Sequence, residues 1–112
     1  MIGLDDRIRE REAKKMTRQE IMKDLREIRY YYSRKKGFDE LKNEIESNII
    51  AEKVQRYNDA VKRAPIRIYD VYVELYIRNN TQESLADKWR YSTQTIKRLN
   101  GKLYDYLQAN LR

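Results

Sequence analysis

A chain of 112 residues without cysteine or histidine has no disulfides, thiol nucleophiles, imidazole bases or histidine zinc ligands to work with. Its formal net charge of +7 draws polyanions, although a chain that is 38% charged also suits any solvated helical protein. At this length it makes one domain or two very small ones, so long helices need each other, or a second copy, to bury their stripes. The charge is uneven. Residues 1–36 carry 12 Lys/Arg and 7 Asp/Glu, residues 37–64 carry 5 and 6, and residues 65–112 carry 8 and 5. Both ends are basic and the middle is not.

The first residues hold Ile2, Leu4 and Ile8 among charges, starting with Asp5 and Asp6. That run lacks the apolar core of a signal peptide, and no stretch approaches a membrane span, so the expected compartment is the cytoplasm. The segment RIREREAKK reads as a basic helical arm with little to bury. Thr17 and Glu20 have the spacing of a capping box, which predicts a helix carrying Ile21, Leu25, Ile28 and Tyr32 on one face. Its other face carries Arg18, Lys23, Arg26 and Arg29. Gly37 suits the left-handed close of that helix, and Asp39 caps the next. The second helix carries Leu41, Ile45, Ile49 or Ile50, Val54, Tyr57 and Val61. The two are expected to fold back as a hairpin, completed by a homodimer or by docking onto the C-terminal part. Tyr30-Tyr31-Tyr32 could stack bases beside Arg29, Arg34 and Lys35, but packing along a hairpin explains the three rings more simply.

Ala64-Pro65 is the clear punctuation of the chain. It divides a basic arm and hairpin, residues 1–63, from a module at 64–112. Ile66 to Ile77 would suit a strand by composition, yet no partner strand is visible, so a supporting helix with a stripe of Ile66, Tyr69, Val73 and Tyr76 is predicted. Asn79-Asn80 ends it. Thr81 then caps a short helix with Leu85, Ala86 and Trp89 inward, and Ser92 caps another beginning with Ile96 and Leu99. Ala86 is the small residue that lets two steeply crossing helices approach. The last helix continues through Leu103, Tyr106 and Leu107, with a weakness at Gly101. The expected architecture is all-α, a helical hairpin followed by a C-terminal helix-turn-helix.

The polar residues of the last helix's first turns suit a helix laid in a DNA major groove. Thr93 and Gln94 are placed to touch base edges, with Lys97 and Arg98 one turn later. Thr81, Gln82, Arg90 and Ser92 are the candidate phosphate contacts. No carboxylate pair suggests catalysis, and Asp39, Glu40, Glu44 and Glu46 lack metal-loop spacing. The residues suggest no cofactor, no metal and no enzyme activity.

The run Gln82 to Leu99 resembles the helix-turn-helix of bacterial regulators and sigma-factor region-four domains: Gln82, three residues, Ala86, a turn ending in Ser92, then Thr95-Ile96 and basic residues. The tail YSTQTIKRLNGKLYDYL is similar to small phage transcriptional regulators of the ArpU/RinA late-gene type. The resemblance covers about the last third of the chain. It implies a phage or prophage activator of late genes, acting at a promoter with host RNA polymerase inside a bacterial cell. One departure is Arg90, where the family often has glycine; a left-handed conformation there costs a non-glycine residue about 1 kcal/mol or more. The rival readings are a small terminase subunit or excisionase-like DNA-binding protein, and a helical protein-interaction module without specific DNA binding.

Overall fold

Thr17 fixes where the first helix begins. Its hydroxyl oxygen accepts the Glu20 N–H at 3.1 Å, and the Glu20 carboxylate accepts the Thr17 N–H at 2.8 Å, as the capping-box spacing predicts. The computed structural model describes residues 16–34 and 44–111. The expectations for residues 1–15, Lys35, Gly37, Asp39, Glu40 and Leu41 lie outside the described residues, as do those for the side chains of Glu44, Ile45 and Glu46. Helix α1 spans Arg18–Ser33 and α2 spans Glu44–Val61. Then α3 spans Ile66–Tyr72 and runs on into a π-helical turn, Val73–Ile77. Helix α4 spans Gln82–Trp89 and α5 spans Thr93–Asn110. The described residues are all-α, so Ile66 to Ile77 is helical as expected, and α5 passes Gly101 without a break.

One apolar core joins all five helices. From α1 come Ile21, Leu25 and Ile28, from α2 Val54, Tyr57 and Val61, and from α5 Ile96, Leu103 and Leu107. Each set keeps the three- and four-residue spacing that puts side chains on one helical face. Residues from both sides of Pro65 therefore share a core, and α1 packs against α5 and the π-helical turn as well as against α2.

The inward face of α3 differs from the predicted stripe. Ile68, Val71, Tyr72, Leu75 and Tyr76 are buried, whereas Ile66 is 74% exposed and Tyr69 is 37% exposed. Nine of the twelve residues of IRIYDVYVELYI are apolar or aromatic, so more than one stripe satisfies the helical period. The widened turn also shifts the register between Val73 and Tyr76, and it closes with Asn79 in the left-handed region at φ 63°. The tyrosine triplet divides differently too. Tyr30 is exposed and lies over Arg34, while Tyr31 and Tyr32 are both half-buried and meet edge to face.

Buried polar groups in this core have partners from other helices. The Tyr57 hydroxyl donates to Asp24 at 2.7 Å, and Lys53 bridges Asp24 and Glu27 at 2.9 and 2.6 Å, tying α1 to α2. Asn100 accepts from the Tyr76 hydroxyl at 2.7 Å and donates to Tyr104, tying α5 to the end of α3. Among the described residues no buried side-chain nitrogen or oxygen is left without a partner.

Candidate functional site

The connection from α4 to α5 is three residues long, and Arg90 makes it that short. Arg90 lies at φ 61°, ψ 41°, in the left-handed region. The Tyr91 N–H donates back to the Ala86 carbonyl at 2.9 Å, and the Arg90 N–H donates to the Asp87 carbonyl at 3.3 Å. This is the Schellman pairing that satisfies the last carbonyls of a helix. Arginine thus takes a conformation that glycine adopts more readily. Ser92 returns to extended backbone, and its hydroxyl oxygen accepts the Thr95 N–H at 3.1 Å, starting α5. Leu85, Ala86 and Ile96 are buried where the two helices meet, with Ala86 only 4% exposed.

Burying Ile96 turns the other side of α5 outward. Thr93, Gln94, Lys97 and Arg98 are all exposed. The first turn of α5 holds no acidic residue, and neither Lys97 nor Arg98 pairs with a carboxylate among the described residues. Of the candidate phosphate contacts, Arg90 and Ser92 lie in the turn and are exposed, while Thr81, exposed, and Gln82, half-exposed, stand at the other end of α4. Thr81 is also a working cap, its oxygen accepting the Ser84 N–H at 3.0 Å. Ser92 shares a hydrogen bond of 2.9 Å with the Thr95 hydroxyl.

Two other cations on this half, Arg78 and Lys88, are paired with a carboxylate. Glu74, 8% exposed at the end of α3, binds Lys88 of α4 at 3.1 Å, Arg78 at 3.2 Å and the Asn80 amide at 2.7 Å. That carboxylate fastens α4 to α3 and so holds the short turn in place. Arg18 pairs with Asp105 at 2.8 Å and lies over the Tyr104 ring.

Sequence reasoning missed Arg67. Its guanidinium lies 4.6 Å from the Trp89 ring centroid and 5.7 Å from that of Tyr91, and the two rings meet edge to face at 6.0 Å. Arg67 comes from the first turn of α3, 22 positions before Trp89, so its spacing carried no signal. Only an outward reading of the Ile66–Tyr69 side could have drawn attention to it.

A separate open cleft of about 220 Å³ lies between α2 and α5, lined by Arg56, Asp59, Ala60, Arg63, Tyr106 and Asn110. Its carboxylate, Asp59, accepts from Gln55 at 2.9 Å and pairs with Lys62 at 3.5 Å. The Tyr106 hydroxyl donates to the Ala60 carbonyl. Among the described residues no cluster of carboxylates is arranged to hold a metal ion, and no helix is long and apolar enough to cross a membrane. No family model, curated protein or solved structure matches the chain.

Proposed function

We propose that the chain is a sequence-specific binder of double-stranded DNA and a transcriptional regulator rather than an enzyme. The observation that supports this is the start of α5. A helix follows another across a three-residue turn, anchors its inner face through Ile96, and presents Thr93, Gln94, Lys97 and Arg98 outward with no acid in its first turn. The major groove accepts one α-helix and displays a distinct donor and acceptor pattern for each base pair. Gln94 can pair with adenine through two hydrogen bonds, Thr93 can touch a thymine methyl, and Arg98 can fork onto guanine. Thr81, Gln82, Arg90 and Ser92 then hold the flanking phosphates, fixing register without reading sequence.

The finer reading is a phage or prophage late-gene activator, working at a promoter with host RNA polymerase in the bacterial cytoplasm. It rests on the resemblance of residues 91–107 to that type of regulator. A homodimer belongs to the same proposal.

Selection of bound duplexes from a random DNA pool tests the reading. An enriched motif is expected, and two-fold symmetry within it would support the dimer. Recovery of the pool unchanged would overturn sequence-specific binding and favour a protein-interaction module.

A further inference from the structure

Arg67 stands out among the surface cations because an aromatic cradle holds it beside the short turn. Its guanidinium lies over Trp89 and Tyr91, the residues immediately before and after Arg90. Trp89 ends α4 and Tyr91 lies in the turn, so the two rings flank Arg90 along the chain. An aromatic ring attracts the flat face of a guanidinium, whereas all five N–H donors point outward along its edge. Contact with the ring faces uses none of those donors. Arg67 is exposed, and among the described residues it makes no hydrogen bond and pairs with no carboxylate.

We infer that Arg67 is a phosphate-binding residue for the duplex, contributed by α3 to the same rim as Arg90 and Ser92. This rests on the DNA-binding reading of α5 and extends it to a third helix. A planar fork of donors matches two phosphate oxygens, and the cradle limits the rotamer freedom that a free arginine would lose on binding. The rim then carries Arg67 and Arg90 around the turn, with Lys97 and Arg98 along the helix that enters the groove. The ligand assigned to Arg67 is a backbone phosphate, with base reading left to the outer face of α5.

The salt dependence of duplex binding separates this role from packing. Each phosphate neutralised contributes a slope of about 0.9 to the logarithm of affinity against the logarithm of salt concentration. The 112-residue wild type, Arg67→Gln and Arg67→Lys are titrated with a fluorescent random-sequence duplex between about 0.05 and 0.3 M potassium chloride. The expected result is a slope lower by about 0.9 in Arg67→Gln, which corresponds to about eight-fold weaker binding at 0.1 M salt, and recovery of most of the slope in Arg67→Lys. Trp89 is the chain's single tryptophan. Its emission is expected to change when duplex binds wild type, and to change less in Arg67→Gln.

An unchanged slope in Arg67→Gln would overturn the role of Arg67. So would a loss of slope that Arg67→Lys does not recover, since the slope counts the charge and not the shape of the group. If either result came with binding that still depends on Lys97 and Arg98, the DNA-binding reading would stand without this contact. A wild type with no duplex affinity would overturn both.

Discussion

Arg90 couples stability to the candidate interface in a single residue. Its left-handed backbone is what shortens the turn, yet an L-residue with a Cβ adopts that conformation at a cost of roughly 1–2 kcal/mol, which glycine avoids. Arg90→Gly is therefore expected to raise thermal stability by about 0.5–1 kcal/mol while weakening duplex binding, because the cation is lost. Thermal unfolding and a duplex titration of the same variant check the two signs. Unchanged affinity would remove Arg90 from the phosphate contacts. Glu74 poses the opposite case. Its nearly buried carboxylate gathers Lys88, Arg78 and Asn80, and Glu74→Ala should cost about 1–3 kcal/mol in urea unfolding. The lower part of that range is expected, because Lys88 and Arg78 are half-exposed or more and regain water.

At the scale of helices, what was legible in the sequence was local. Thr17, Thr81 and Ser92 cap helices because a hydroxyl must reach an N–H three residues on, a relation written in consecutive positions. The stripes of α1 and α5 were legible for the same reason, since polar residues separate Ile21, Leu25 and Ile28, and likewise Ile96, Leu103 and Leu107. In α3 and the turn after it nine of twelve residues are apolar or aromatic, so more than one stripe fits the period, and Ile66 and Tyr69 are exposed. Asp24, Glu74 and Asn100 were not legible as buried residues. Their partners Tyr57, Lys88 and Tyr76 sit 14 to 33 positions away, and only folding brings them together. The exposed face of Thr93, Gln94, Lys97 and Arg98 followed from the stripe, whereas the Arg67 cradle needed three dimensions.

For the molecule as a whole, the shared core makes cooperativity and alkaline stability testable. Ile28 of α1 and Leu103 of α5 are both fully buried in it. Ile28→Ala and Leu103→Ala should each cost about 2–5 kcal/mol and shift one common unfolding transition. Two separable transitions would show that the halves on either side of Pro65 fold independently. Burial pushes the phenols of Tyr57, Tyr72 and Tyr76 above the ordinary tyrosine range, with the Asp24 carboxylate adding to the effect at Tyr57. Burial disfavours the charged form of Lys53, but its bonds to Glu27 and Asp24 outweigh that and raise it. All four groups hold their protons more tightly when folded. Their contribution is complete below about pH 10 and is lost as pH rises beyond it. The urea midpoint should therefore fall between pH 9 and pH 11, and phenolate absorbance should show three of the ten tyrosines titrating only on unfolding. A midpoint that rises over that interval would contradict this assignment.

The central claim is that the outer face of α5 reads base sequence. Its most direct test is the affinity of wild type and of a Lys97→Ala/Arg98→Ala variant for the selected duplex and for a scrambled one, at fixed salt. Preference for the selected duplex should collapse in the variant, by about 1–3 kcal/mol for each residue that reads a base, while its unfolding midpoint stays put. A variant that keeps the full preference would contradict the claim, and base reading would then have to come from another surface.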